Sequence, residues 1–154
     1  MKNCSLLTNF IIEFRPAPGA TGWQLSNPSV VDIASLCASL SIFAETSIDE
    51  LRKKSVLLTA YLQHLLLDGE DDSTESPFRI ITPKDPEARG AQLSIFLKPG
   101  LLPDVFAKLQ DEGIVFDQRK PDVIRIAPVP LYNSFEDVRF FVDRFKAVLR
   151  ETVK

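Results

Sequence analysis

PDVIRIAPVPLYNSFEDV, residues 121 to 138, begins as a strand and ends as a helix, with prolines at the changeover. Val123, Ile124, Arg125, Ile126 and Ala127 set one arginine among apolar residues, and a period of two puts Arg125 on the opposite face of the strand from both isoleucines. Pro128 and Pro130 have no amide proton to give to a ladder, so they end it. Ser134, with Asp137 three residues on, caps a helix in which Val138, Phe141, Val142, Phe145, Val148 and Leu149 recur at helical spacing, the stripe of a helix laid on a sheet. A guanidinium held by a strand can grip a carboxylate through two parallel hydrogen bonds, which a flexible lysine does less well. The plainer reading of Arg125 is a solvated or edge residue, the commoner fate of an arginine in a strand.

Outward from this stretch the same two periods alternate. Residues 114 to 117 read as a strand joined to 123 to 127 by QRKPD, in which Pro121 supports a tight turn. Residues 103 to 112 read as a helix with Pro103 at its start and Gly113 just past its end. Residues 78 to 82 and 92 to 98 read as strands separated by a turn-rich segment containing Pro83, Pro86 and Gly90. Ser47 and Glu50 open a helix in which Ile48, Leu51, Ser55, Leu58, Leu62 and Leu65 keep spacings of three and four, and Gly69 is its stop. Ser26, Asn27 and Pro28 read as an earlier helix start, a capping side chain followed by proline at the first helical position. That helix covers 29 to 45, with Val30, Ile33, Ala34, Cys37, Leu40 and Phe43 along it. The acidic run GEDDSTES, 69 to 76, reads as a surface loop. Four short strands, mainly antiparallel, with helices on one face predict a two-layer α+β small domain over 29 to 154, preceded by a connecting leader over 1 to 28.

Composition narrows the partners. The chain has 154 residues, a net charge of −3, 45% hydrophobic and 25% charged residues, the make-up of one globular domain. No basic patch suited to nucleic acid or an anionic membrane is present, and Arg52, Lys53 and Lys54 read as the solvated face of their helix. No apolar run reaches the roughly 18 residues of a membrane span. Cys4 and Cys37 make no disulfide framework, and the opening MKNCSLLTNFIIEF lacks the features of a signal peptide, so the expected setting is the cytoplasm.

Several ordered blocks are similar to one family. IRIAPVPLYNSFEDV at 124 to 138 resembles the C-terminal signature of kynureninases, which are pyridoxal-phosphate enzymes. GWQLSNPSV at 22 to 30, LRKKSVLLTAYLQHLL at 51 to 66, IITPKDPEARGAQLS at 80 to 94 and GIVFDQRKPDVIRIAP at 113 to 128 resemble further blocks of that family in the same order. The resemblance runs from about Phe14 onward and covers only the C-terminal part of the family's sequence. It implies the small domain of the aspartate-aminotransferase fold type, a sheet packed by helices, with the large cofactor-binding domain outside this chain.

What the resemblance implies for chemistry is divided. Catalysis with pyridoxal phosphate needs a lysine for the Schiff base, an acid for the pyridinium nitrogen and donors for the phosphate. None of the lysines here stands in a matching context, so no catalytic residue is assigned and the isolated chain is expected to be inactive and to bind no cofactor alone. Arg125 matches the arginine that binds the α-carboxylate of the substrate. Asn27 matches an asparagine that reaches the cofactor phosphate across a subunit boundary, with Gln24 and Ser26 beside it, while on its own terms Asn27 is a helix cap; both can hold, since amides at a helix start attract phosphate. The implied whole enzyme is a homodimer that hydrolyses L-kynurenine or 3-hydroxykynurenine to anthranilate or 3-hydroxyanthranilate and alanine. Trp23 would pack at a domain junction, and apolar residues of the leader and first helix would be uncovered in this chain, favouring self-association. A non-catalytic interaction or regulatory module of the same plan is the alternative.

Other residues carry less. His64, one residue from a leucine stripe, reads as a core or boundary histidine, and no zinc site is visible. Glu70, Asp71 and Asp72 lack a calcium-loop register. Cys37 has no basic neighbour to activate it. Tyr132 and Asn133 fix the approach to the last helix, and Tyr132 is placed to border a substrate pocket.

Overall fold

The computed structural model describes residues 15–69 and 76–153. The opening residues with Cys4, and the acidic run at 70–75, lie outside them. Backbone packing divides the chain into a first unit ending at Ala44 and a second beginning at Glu45.

In the first unit a single 3₁₀ turn, Ala20–Trp23, follows Gly19. Gly22 is required there, because a Cβ on it would lie 2.1 Å from the Ala17 carbonyl oxygen. Helix α1 covers Val30–Phe43, and its cap is Ser29, whose hydroxyl accepts the Asp32 amide at 3.4 Å. The cap expected at Ser26 or Asn27 is therefore corrected. Ser29 followed by Asp32 offers the same capping chemistry later in the chain, with an acid in the first turn to suit the helix dipole, and Pro28 precedes the cap instead of opening the helix. None of the residues of α1 is buried among the described residues, and Val30, Val31, Leu36, Leu40 and Ile42 are each more than half exposed.

The second unit begins with α2, Ile48–Leu67, capped by Ser47 through the Glu50 amide. It continues through β1, Phe78–Ile80, and β2, Leu93–Leu97, to α3, Leu102–Asp111. Strands β3, Asp117–Arg119, and β4, Val123–Ile126, and helix α4, Phe135–Thr152, complete it. The four strands run in the order β1-β2-β4-β3, every neighbour antiparallel. This is the α+β arrangement expected, with β4 in the interior of the sheet.

One face of the sheet is the core. Leu93, Ile95, Leu97, Ile124 and Ile126 are buried against Leu58, Leu62 and Leu66 of α2, Val105 and Leu109 of α3 and the whole expected stripe of α4. Phe145 packs on both Phe78 and Phe141, with ring centres 5.3 and 5.6 Å apart. Burying one such side chain contributes on the order of 2 kcal/mol, so this face holds the unit together. Of the buried polar side chains, Ser55, Thr59 and Asp122, Thr59 donates to the Ala91 carbonyl at 3.1 Å and Asp122 accepts the Gly100 amide at 3.0 Å, so these two keep a bond in place of water.

The strand expected at 114 to 117 is displaced to Asp117–Arg119. Gly113, at a φ of +79°, closes α3 with its own amide on the Gln110 carbonyl at 2.9 Å and the Ile114 amide on the Leu109 carbonyl at 3.0 Å. The chain is thus reversing where Ile114 and Phe116 alternate like strand residues. Phe116 meets Phe106 edge to face at 5.2 Å, and sheet pairing starts only at Asp117. Helix α4 carries a full capping box, Ser134 accepting the Asp137 amide at 3.2 Å and Asp137 accepting the Ser134 amide at 2.8 Å. Those bonds hold the Asp137 carboxyl below the ordinary carboxylate range. At the far end of α3, Arg144 forks onto both oxygens of Glu112, with Nε at 2.5 Å from Oε2, which likewise lowers the Glu112 carboxyl and raises the guanidinium.

Candidate functional site

Strand alternation does to Arg125 what its neighbours require. Ile124 is fully buried and Ile126 nearly so, and the arginine between them stands on the other face with its side chain 33% exposed. Its register partners are Ser94 on β2 and Asp117 on β3. Across that face Arg79 lies 4.9 Å over the ring of Phe96, a cation held on an aromatic face.

Arg125 lines a cleft of about 490 Å³ together with Asp117, Phe116, Pro128, Asn133 and Phe140. Its Nε donates to Asp117 Oδ2 at 2.5 Å, and Nη2 contacts the same oxygen. Arg119 reaches that oxygen too, with Nε at 3.0 Å. A guanidinium has five N–H donors in a planar fork, and Asp117 engages one side of it. The Nη1 group has no partner among the described residues. The site therefore combines a fixed cation that retains bonding capacity with a largely apolar wall, which suits a ligand carrying a carboxylate beside an apolar group.

Asn133 joins this rim through the backbone: its Oδ1 accepts the Val129 amide at 2.7 Å, closing the turn after β4 before the Ser134 cap begins. Tyr132 is exposed and lies outside the cleft lining.

Asn27 stands in the first unit, exposed and without a hydrogen bond among the described residues. Gln24 and Ser26 beside it are exposed as well, and Trp23 is 87% exposed. His64 is corrected from core or boundary to exposed: Leu62, Leu65 and Leu66 turn inward while position 64 faces out. Cys37 is a free, exposed thiol. No group of His, Cys, Asp or Glu among the described residues could hold a metal ion, and no single described helix is long and apolar enough to cross a membrane.

The residue that sequence reasoning missed is Asp117. With the strand placed at 114 to 117 it becomes a strand end at the turn instead of a cross-strand partner. The signal is the symmetry of Asp117 and Arg125 about Pro121, four residues to either side, which a hairpin converts into a directly opposed pair.

The family model described as kynureninase C-terminal domain matches residues 51–145. The chain is 67% identical over 138 residues to kynureninase 2 of Aspergillus oryzae, an alignment that takes in 90% of this chain and 29% of that protein. It is 57% identical over 150 residues to the kynureninase of Sclerotinia sclerotiorum, covering 97% of this chain and 31% of that one. Kynureninase 2 of Aspergillus niger is 62% identical over 140 residues, with 90% and 30% covered. The chain thus spans about 30% of the length of the curated relatives it matches.

Proposed function

The chain belongs to the kynureninase family, and we propose that it serves as the C-terminal part of an enzyme that hydrolyses L-kynurenine or 3-hydroxykynurenine to anthranilate or 3-hydroxyanthranilate and alanine. In this role Arg125 binds the α-carboxylate of the amino-acid substrate. The observation that carries the reading is the aim of that side chain: an interior strand holds it on the cleft, with part of its fork free for a ligand. Binding energy at the carboxylate would fix the orientation of the rest of the substrate, a positioning role and not a proton transfer.

Asn27 is the group of this chain proposed to hold the phosphate of pyridoxal phosphate. Its carboxamide fits that task because it is exposed and is not used as the cap of α1, so its donors are available. When bound, the cofactor supplies the electron sink for breaking the carbon–carbon bond of the substrate. The Schiff-base lysine belongs to the part of the enzyme outside this chain, so catalysis requires the whole protein, as a homodimer in the cytoplasm. Arg125→Lys in the complete enzyme tests the reading: kcat/KM for L-kynurenine falls strongly while cofactor binding stays intact, and an unchanged kcat/KM refutes the assignment.

A further inference from the structure

We propose that Asp117 is a positioning residue that holds Arg125 by one side of its fork so that the remaining donors meet the carboxylate of the ligand; this rests on the reading of Arg125 as the carboxylate anchor. Three observations carry it. Asp117 and Arg125 are register partners on β3 and β4, so the backbone ladder fixes their separation before any side chain moves. Nε donates to Oδ2 at 2.5 Å and Nη2 touches the same atom, which removes the rotations that would otherwise let the guanidinium swing. Nη1 has no partner among the described residues, so the contact with Asp117 does not use up the fork.

A carboxylate beside an anion receptor weakens it unless its charge is offset. Here Arg119 supplies the offset, its Nε 3.0 Å from the same Oδ2. The cluster of Arg119, Asp117 and Arg125 therefore keeps one net positive charge, the complement of a single carboxylate. The side chains of Asp117 and Arg125 are 46% and 33% exposed, so the pair contributes little to folding, and its value lies in aim.

The test is a double-mutant cycle in the complete enzyme, joined to arginine Nε–H NMR on the 154-residue chain. Asp117→Ala is expected to lower kcat/KM roughly tenfold or more, chiefly through KM, with Asp117→Asn recovering part because its amide oxygen still accepts from Nε. In an Arg125→Ala background the same change should cost nothing further, and in the 154-residue chain it should abolish the slow exchange of the Arg125 Nε–H. An unchanged kcat/KM in Asp117→Ala, a loss that adds fully to that of Arg125→Ala, or an Nε–H signal indifferent to the substitution overturns the proposal. If Arg125→Ala alone leaves kcat/KM unchanged, the carboxylate reading itself fails, an outcome separable from the others because it involves no change at Asp117.

Discussion

Asp117 and Arg125 face each other across the β3–β4 ladder, joined at 2.5 Å on the sheet face away from the core. Because both side chains are partly exposed, solvent screens the pair, and Asp117→Asn is expected to change folding stability by less than about 1 kcal/mol. Ile124→Ala, one residue away on the buried face, should cost roughly 2 to 5 kcal/mol. Urea denaturation of both variants checks the contrast, which a large loss in Asp117→Asn would contradict.

Gly113 has room for a side chain, with no atom within 4 Å of a built Cβ, yet its φ of +79° is costly for any other residue. Gly113→Ala is expected to destabilise the second unit by roughly 1 to 2 kcal/mol, and Gly113→Asn by less, since asparagine tolerates the left-handed region better. Equal melting temperatures for glycine and alanine would show that the α3 stop does not depend on that conformation.

Acid should weaken the second unit through two identified carboxyls. Asp137, bonded to the Ser134 amide and hydroxyl, and Glu112, bonded to Arg144, both have lowered folded-state pKa values. Each contributes stability that is fully present above its unfolded pKa and is lost as pH falls through the folded one. Melting temperature should therefore decline as pH drops through and below the ordinary carboxylate range, and the decline should be shallower in Asp137→Asn combined with Glu112→Gln. A slope indifferent to those changes would mean that other groups set the acid sensitivity. Ser134→Ala at neutral pH should cost about 1 kcal/mol as a lost cap.

Helix α1 has no buried residue, although its sequence is apolar along most of its length. The 154-residue chain is expected to self-associate in a concentration-dependent way, and Leu36→Glu with Leu40→Glu should reduce that association. Light scattering that reports a monomer at high concentration for the unsubstituted chain would count against it.

Pyridoxal phosphate added to the 154-residue chain should leave it colourless and without kynurenine turnover, because the proposed cofactor lysine lies in the rest of the enzyme. A stable coloured adduct that survives dialysis would overturn that division of labour.

Much of the second unit could be read from periodicity because its elements bury one face each. Val138, Phe141, Val142, Phe145, Val148 and Leu149 are all buried as their spacing requires, and Arg125 stands opposite Ile124 and Ile126. Reading failed where two local signals competed. Ile114 and Phe116 alternate like strand residues while a helix cap is reversing the chain, so periodicity alone points to a strand three residues before β3 begins and gives no sign of the partnership of Asp117. Ser26, Asn27 and Ser29 are all competent caps, and composition alone does not rank them. In α1, helical spacing of apolar residues correctly marked a helix but carried no information about what covers it, and His64 shows the converse, a polar residue beside a buried stripe that simply faces water.

The most direct measurement compares L-kynurenine with its α-carboxamide as substrates of the complete enzyme, before and after Arg125→Ala. The unsubstituted enzyme should prefer the carboxylate by roughly two orders of magnitude in kcat/KM, as loss of a charge-assisted bidentate contact implies, and the variant should scarcely distinguish the two. An undiminished preference for the carboxylate in Arg125→Ala would contradict the assignment of this arginine as the anchor.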